Sequence, residues 1–304
     1  MNTTSTTSLP EKTISIGRLI DQEAQRLQDA GVAFGQGTTN AFDEAAWLVL
    51  WKLGLPLDTD IDDPGLPPVT AQQQAAVAAL VDERIQSRKP AAYLTREAWL
   101  QGVPFYVDER TIIPRSLIAE LLADGSIDIF LQPETRCMLD LCTGNGSLAV
   151  LTALAWPEVL VDAVDISTDA LDVARINVEK HGLQTQIRLF HGDGLAQCAG
   201  PYDLIVCNPP YVNAASMATL PAEFRAEPAL ALAGGADGMD FIRRLVAQAP
   251  DFLSERGILL LEIGHERAYF EAAFPHLNPV WLETSAGNDQ VLLLSREALL
   301  ERGA

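Results

Sequence analysis

The spacing of hydrophobic and polar positions changes along the chain. Up to about residue 90, apolar residues recur at three- and four-residue intervals, which is typical of amphipathic helices. Thr70 and Gln73 have the spacing of a capping box, and Pro90 ends the last helical stretch. This part of the chain therefore predicts a small helical domain. The predicted helices are Thr13–Ala30, Phe42–Leu53 and one from Thr70 to Pro90.

Between residues 98 and 113 the composition shifts to β-branched and aromatic residues, which favour strands. Asp108–Arg110 is polar and predicts the turn between two such strands. We expect a β-hairpin here, linking the helical domain to the rest of the chain. A further helix is predicted to begin at Pro114–Ser116 and to end near Ala123.

From Cys137 onward, buried-type strands alternate with helical segments, a pattern that predicts a parallel sheet with helices on both faces. The link between the last two strands, Thr284–Asp289, is too short for a crossover helix, so these strands should be antiparallel. The fold class is therefore α/β. The predicted strands are Cys137–Leu141, Val159–Asp165, Gln186–Phe190, Tyr202–Cys207, Gly257–Ile263, Pro279–Glu283 and Gln290–Ser295. The predicted helices are Ser147–Ala155, Thr168–His181, Met239–Phe252 and Glu266–Ala273.

Charge and composition narrow the classes of function. The 304 residues include 41 acidic and 21 basic side chains, a formal net charge of −20. Direct recognition of nucleic acid needs a basic surface and is not expected, whereas a basic protein would be attracted. Four cysteines without C-x-x-C spacing predict reduced thiols in the cytoplasm. No metal site is expected from the four histidines, no membrane span is expected, and residues 1–12 predict a disordered tail.

Polar residues follow the ends of three successive predicted strands. Asp140 precedes the loop that contains Gly144 and Gly146, where a backbone without side chains allows a ligand to approach closely. Asp165 could accept both hydroxyls of a ribose, and Asp193 could bind an adenine amino group. Asp140 could accept from a ligand ammonium, directly or through water. Each aspartate could instead only cap the helix that follows it.

Asn208-Pro209-Pro210-Tyr211 follows the fourth predicted strand. Two prolines with fixed φ make this corner stiff, and Asn208 before a proline is held extended. The Asn208 side-chain oxygen and the Pro209 carbonyl oxygen could each accept one N–H of an NH2 group. The nitrogen lone pair would then point at an electrophile, with the Tyr211 ring packed on the planar target group. An ordinary turn after a strand is the alternative.

The glycine loop by itself leaves two classes of protein open. Gly144 and Gly146 with Ala149 also fit a nicotinamide-dinucleotide fingerprint, in which Asp165 would be the ribose carboxylate. Dinucleotide binding does not require Asp140 before the loop, the corner at Asn208 or an antiparallel final strand. A methyl donor and an amine-type acceptor do require such features, so the combination favours methyl transfer over hydride transfer.

Asp140–Gly146, Asp165 and Asn208–Tyr211 resemble the class I S-adenosylmethionine-dependent methyltransferases that modify amide or exocyclic amino nitrogens. From about Ile14 to Leu300 the chain is similar to the protein-glutamine N5-methyltransferases. Four longer segments are similar to the branch that acts on large-subunit ribosomal protein three, whereas Ser116–Ile118 departs from the release-factor branch. These segments are Pro90–Thr95, Phe105–Arg110, Ile113–Ser116 and Leu220–Leu232.

The resemblance implies a Rossmann-like seven-stranded sheet with an antiparallel last strand, which uses S-adenosyl-L-methionine and releases S-adenosyl-L-homocysteine. It implies four regions: a tail (1–12), a helical substrate-recognition domain (13–96), a hairpin (97–115) and a catalytic domain (116–304). The implied substrate is a glutamine amide in large-subunit ribosomal protein three. Release-factor methylation, adenine methylation in nucleic acid and nicotinamide-dependent oxidoreduction remain alternatives.

The resemblance also assigns roles within the site. Asn145 stands where members of the family more often have Ser or Thr. Glu227 would either shape the glutamine pocket or have only a structural role in its loop, and Asn208, Pro209, Pro210 and Tyr211 would surround the amide. The residues implied to bind the cofactor are Asp140, Cys142, Thr143, Gly144, Asn145, Gly146, Asp165, Asp193, Gly194 and Asn208.

Overall fold

The computed structural model describes residues 13–301 and divides the chain into two compact units. The helical unit contains the chain up to Thr95 together with Ala222–Ala226. The sheet unit contains Arg96–Pro221 and the chain from Glu227 onward. The predicted tail, residues 1–12, lies outside the described residues. Substrate recognition by the helical unit stays a prediction.

The helical unit begins and ends its helices where the sequence supplies caps. Ser15, Asn40 and Thr70 each accept a backbone N–H at a helix start, and Thr70 with Gln73 forms the predicted capping box. A short fourth helix follows Pro90, where only an end was predicted. The helices are α1 Ile16–Asp29, α2 Ala41–Leu53, α3 Ala71–Ser87 and α4 Ala91–Thr95.

A buried ion cluster holds Ala222–Ala226 in the helical unit. The fully buried Arg84 of α3 donates to Glu44 of α2 at 2.8 Å and to the Ala33 carbonyl at 2.9 Å. It also lies 3.4 Å from Glu223, to which Arg88 donates at 3.3 Å. Because a buried charge is costly unless it is paired, these contacts fix the position of Glu223.

The predicted hairpin is present, but its turn lies elsewhere. Strand β1 Glu97–Leu100 pairs antiparallel with β2 Val103–Tyr106, and the turn is at Gln101 and Gly102. Both turn residues have positive φ, at 50° and 74°, as a two-residue hairpin of type I′ requires. A turn does lie at Asp108–Arg110, where the Thr111 N–H donates to the Asp108 carbonyl at 3.2 Å, but it follows β2 and does not join the two strands. The hairpin turn was misplaced because a Gln-Gly pair is a weaker turn signal than three consecutive charged residues.

Seven strands of the sheet unit form one sheet in the order β5-β4-β3-β6-β7-β9-β8. All neighbouring pairs are parallel except β7 with β9 and β8 with β9, so the predicted antiparallel finish is confirmed. This arrangement brings the carboxyl ends of β3, β4, β5 and β6 to one edge. The strands are β3 Cys137–Leu141, β4 Leu160–Asp165, β5 Ile187–His191, β6 Tyr202–Cys207, β7 Leu253–Glu262, β8 Val280–Thr284 and β9 Gly287–Ser295.

Helices cover both faces of this sheet, and the residues that face them alternate along each strand. Met138 of β3 points into the core shared with α5, α6 and α7, and Leu139 into the core shared with α9 and α10. The first of these helices begins at Ile118, later than the predicted start at Pro114–Ser116. The helices are α5 Ile118–Ala123, α6 Ser147–Ala155, α7 Thr168–Lys180, α8 Ala214–Thr219, α9 Asp240–Phe252, α10 Arg267–Ala273 and α11 Arg296–Leu300.

Candidate active site

A cavity of about 300 Å3 opens at the carboxyl ends of β3 to β6, within the sheet unit. Its volume lies at the lower end of the range for small-molecule sites. Most of the predicted cofactor residues line it: Cys142, Thr143, Gly144, Asn145, Asp165, Asp193, Gly194 and Asn208, together with Pro210. Asp140, Gly146, Pro209, Tyr211 and Glu227 do not line it but lie next to residues that do.

Asp140 lies at the end of β3, fully buried beneath the glycine loop. Its Oδ2 accepts from the Thr143 hydroxyl at 2.5 Å and from the Ala149 N–H at 2.9 Å. Its Oδ1 has no hydrogen-bond partner among residues 13–301. Burial raises the pKa of Asp140 to about 7, because the carboxylate is taken out of water.

The glycine loop turns sharply between β3 and α6. Cys142, Gly144 and Gly146 have φ of 63°, 56° and 80°, and the first of these is uncommon for a residue with a side chain. A Cβ on Gly146 would lie 3.2 Å from the Cβ of Ala174 in α7, so close helix packing also favours glycine there. The part of this loop from Cys142 to Asn145 lines the cavity.

Asn145 adds a second unpaired polar atom to the loop. Its Oδ1 accepts from the Ser147 N–H at 3.2 Å, while its buried Nδ2 has no partner in the described part of the chain. Asn177 of α7 holds the loop from below by donating to the Asn145 carbonyl at 2.8 Å. Asn177 also exchanges hydrogen bonds with the backbone of Tyr106 in β2, which ties the hairpin to the loop.

Asp165 ends β4 in the wall of the cavity. One carboxylate oxygen accepts from the Gly144 N–H at 2.9 Å and the other from the Ser167 N–H at 2.8 Å. Burial raises the pKa of this carboxyl group, and the backbone donors oppose the rise. The carboxylate thus joins the glycine loop to the start of α7 while keeping a face toward the cavity.

Asp193 follows β5 and is exposed at the rim. It forms an ion pair with Arg244 of α9, with oxygen to Nη1 distances of 3.1 and 3.2 Å. The Arg244 guanidinium lies 5.4 Å from the centre of the Phe241 ring, and both side chains line the cavity. Sequence reasoning missed Phe241 and Arg244, although an aromatic and a basic residue three positions apart near a helix start were a usable signal.

The Asn208–Tyr211 corner follows β6 and faces the cavity only in part. Asn208 and Pro210 line the cavity, and the Asn208 side chain forms no hydrogen bond with any other described residue. Pro209 is buried. The Tyr211 hydroxyl donates to Glu262 at 3.2 Å, and burial together with the nearby Glu262 raises the pKa of this hydroxyl. Contact between the Tyr211 ring and a substrate stays a prediction.

Glu227 supports the part of the cavity wall that contains Ile113 and Arg115. Its buried Oε2 accepts from the Ile113 N–H at 3.0 Å and from Nη1 of Arg115 at 2.9 Å. Ile113 and Arg115 line the cavity, as does Pro228, which follows Glu227. The prediction that Glu227 shapes a pocket concerns this wall, and it remains a prediction. The part played by Arg115 in the wall was not foreseen from sequence.

Two further properties limit the chemistry of the site. Within residues 13–301, no group of three or more His, Cys, Asp or Glu side chains is arranged to hold a metal ion. All four cysteines are free thiols. The cavity offers carboxylates, an unpaired amide and the glycine loop for binding and orientation. No helix in the described part of the chain has the length and apolar character needed to cross a membrane.

The sheet order is that of a class I methyltransferase. The family described as methyltransferase small domain matches residues 123–235. The catalytic domain of human METTL16, solved with an RNA hairpin of the MAT2A 3′UTR, superposes with a TM-score of 0.51 over 77% of this chain and 85% of that one. Its sequence identity is 13%, so this similarity concerns the fold.

The chain belongs to the ribosomal protein uL3 glutamine methyltransferases. The enzyme of that name from Bordetella pertussis is 56% identical over 284 residues, which cover 92% of this chain and 95% of the relative. That from Burkholderia pseudomallei is 52% identical over 304 residues, covering 97% and 98%. That from Neisseria meningitidis serogroup B is 50% identical over 276 residues, covering 90% and 91%.

Proposed function

We propose that this protein transfers a methyl group from S-adenosyl-L-methionine to the side-chain amide nitrogen of a glutamine in ribosomal protein uL3. Relatives at 50–56% identity over at least nine tenths of the chain carry that activity in their names. The observation that carries the proposal is the position of Asn208. Its unpaired amide lies in the wall of the cavity that also contains the glycine loop.

The residues present fit S-adenosylmethionine. The unpaired Asp140 Oδ1 and Asn145 Nδ2 leave an acceptor and a donor at the glycine loop, next to which the amino-acid part of the ligand would lie. Asp165 would hold the ribose, and Asp193 with Gly194 would lie by the adenine. When bound, the cofactor supplies a methyl group on a positively charged sulfur, which a nucleophile can displace.

This chain's own contribution is to orient the acceptor. A carboxamide nitrogen is a poor nucleophile because its lone pair is delocalised into the carbonyl. The Asn208 side-chain oxygen and the Pro209 carbonyl oxygen would each accept one N–H of the target amide, which turns the nitrogen toward the methyl group. Pro209 and Pro210 keep these acceptors fixed, since neither φ can change. The corner acts by positioning and electrostatic stabilisation, and the proton that the amide nitrogen loses on gaining the methyl group passes to water, since neither acceptor is a base.

The test compares purified uL3 with release factors as acceptors of labelled methyl, followed by mass spectrometry of the modified residue. We expect label on one glutamine of uL3. In Asn208→Ala we expect kcat to fall by about 100- to 1,000-fold, as for other preorganised polar groups. The affinity for S-adenosylhomocysteine, measured by calorimetry, should stay unchanged.

Asn278→Ala is the matched control, because it removes the same group from an exposed position before β8. It should keep the wild-type rate. Label on a release factor or on nucleic acid instead of uL3 would overturn the proposed substrate, and an active Asn208→Ala variant would overturn the role of Asn208. We place the reaction in the cytoplasm, where ribosomal proteins are made.

A further inference from the structure

A buried carboxylate of the sheet lies directly beneath the Asn208–Tyr211 corner. Glu262 is the last residue of β7 and is 3% exposed. One of its oxygens accepts the Tyr211 hydroxyl at 3.2 Å. Glu262 has no role in the proposed methyl transfer as described so far. In the sequence, Glu262 lies inside an apolar run that predicts only a buried strand. A buried carboxylate of this kind needs an explanation, because it is costly unless it is hydrogen-bonded.

The turn that follows β7, which we call the β7 turn (Glu262–Glu266), is shaped around Tyr211. Gly264 has φ of 56°, and a Cβ there would lie 2.5 Å from Cε2 of the Tyr211 ring. Glu266, at the other end of the turn, accepts from Nδ2 of Asn213 at 2.7 Å. The turn thus contacts the chain at Tyr211 and again at Asn213, on the side of the corner away from β6.

Two more glycines hold the backbone at this point. A Cβ on Gly234 would lie 2.7 Å from the Tyr211 Cα, and one on Gly238 would lie 2.2 Å from the Tyr211 carbonyl oxygen. The Val212 N–H donates to the Leu232 carbonyl at 2.8 Å, and its carbonyl accepts from Gly234 at 2.9 Å. Tyr211 is therefore enclosed on several sides, and its hydroxyl is the polar group that Glu262 fixes.

Glu262 also holds the cavity wall formed by residues 110–116. Its second carboxylate oxygen accepts from the Ser116 hydroxyl at 2.6 Å and from the Leu117 N–H at 2.9 Å. Ser116 itself lines the cavity. One carboxylate therefore joins the wall to the corner that carries Asn208. Loss of either half of this linkage should let the wall and the corner shift relative to each other.

We propose that Glu262 is a positioning residue for methyl transfer, which acts through Tyr211 and Ser116 to fix the direction of the Asn208 amide. The inference rests on the proposed function for its reaction, but its structural part does not need a substrate. Glu262 does not line the cavity. Its effect on the rate comes from the alignment of the acceptor groups, to which transfer reactions are steeply sensitive.

The experiment uses the full chain with four substitutions: Glu262→Gln, Tyr211→Phe, their combination, and Glu271→Gln as the matched control. Glu271 lies exposed on α10, paired with Arg267, so the control makes the same chemical change away from the site. The readouts are kcat and KM for uL3, calorimetric affinity for S-adenosylhomocysteine, the melting temperature, and hydrogen exchange of the peptide spanning residues 207–214.

We expect Glu262→Gln and Tyr211→Phe each to lower kcat by about 10- to 100-fold while KM for uL3 and product affinity stay constant. The combined variant should be no slower than the slower single variant, because both break one linkage. Exchange in residues 207–214 should be faster in Glu262→Gln and unchanged in Glu271→Gln.

Wild-type kcat in properly folded variants, multiplicative losses in the combined variant, or unchanged exchange would each overturn the inference. A merely structural role would lower the melting temperature without these effects. If Glu262→Gln does not fold, Tyr211→Phe decides, since it removes one oxygen and leaves the Ser116 and Leu117 contacts intact. If the wild-type protein does not methylate uL3, the proposed function fails, while the exchange measurement still decides the role of Glu262.

Discussion

At the scale of single residues, the unpaired polar atoms of the glycine loop say most about ligand binding. Asp140 Oδ1 and Asn145 Nδ2 are buried without partners among residues 13–301, although such groups are nearly always satisfied. Asp140 also has its pKa raised to about 7 by burial. A ligand with an ammonium group would supply the missing donor and would favour the ionised carboxylate.

We therefore predict that S-adenosylhomocysteine binds more tightly as the pH rises from 6 to 8. The ionised fraction of a group with a pKa near 7 grows from about one tenth to about nine tenths across this range. Binding should release protons below pH 8, which calorimetry in two buffers of different ionisation enthalpy measures. Asp140→Asn should bind weakly at every pH and lose this dependence; a wild-type pH profile in that variant would contradict the assignment.

The raised pKa of Asp140 also makes the free energy of unfolding depend on pH. The folded protein keeps a proton on Asp140 between about pH 4 and pH 7, where the unfolded chain has lost it. The free energy of unfolding therefore falls as the pH rises through that window. The melting temperature of Asp140→Asn minus that of the wild type should therefore be more positive at pH 8 than at pH 5.

The sequence was informative at this scale where a residue type was unusual for its place. Asp140, Asp165 and Asn208 are polar residues at the ends of apolar runs, so each stood out. Glu262 lies inside the apolar run Leu259–Ile263 and was missed, because periodicity cannot show that several donors converge on one carboxylate. Phe241, Arg244 and Arg115 come to the cavity from segments distant in sequence, and their approach depends on tertiary structure.

At the scale of elements, the sequence predicted those with a long or strongly buried pattern. β3, β6 and α6 have the bounds that were expected, since each combines an apolar run with clear flanking signals. The short helices α8 and α11 were missed because five or six residues cannot show a helical period. The 222–226 segment in the helical unit was also unforeseen, as a contact 139 residues from Arg84 leaves no local signal.

The buried ion cluster of α2 and α3 predicts a large loss of stability in Arg84→Met. The substitution leaves Glu44 and Glu223 buried without their shared cation, which should lower the free energy of unfolding by about 3–5 kcal/mol. Urea denaturation measures it. The control is Arg175→Met, which breaks the exposed pair with Asp172 on α7 and should cost about 0–1 kcal/mol. Equal losses in the two variants would show that the cluster contributes nothing special.

At the scale of the whole molecule, net charge governs the encounter with the substrate. The chain carries a formal charge of −20. The substrate, a ribosomal protein, binds ribosomal RNA and for that needs an excess of basic residues. Opposite charges raise association rates at low ionic strength, and salt screens them within about 10 Å at 0.1 M. The same charge counts against nucleic acid as the direct substrate.

We predict that kcat/KM for uL3 falls by about tenfold between low salt and 0.3 M salt, because steered association is lost. The value of kcat at saturating uL3 should change little, since the acceptor groups are partly buried and screened less. The affinity for S-adenosylhomocysteine in the same buffers is the control. A kcat/KM that does not depend on salt would show that charge plays no part in the encounter.

The placement of residues 222–226 also fixes the order in which the protein can be completed during synthesis. Arg84 leaves the ribosome 139 residues before Glu223, its acidic partner in the helical unit. The N-terminal helices therefore emerge with one buried cation incompletely matched, and β3 to β6 are translated before the missing carboxylate arrives. The first unit of the chain to be made is thus finished only after much of the second exists.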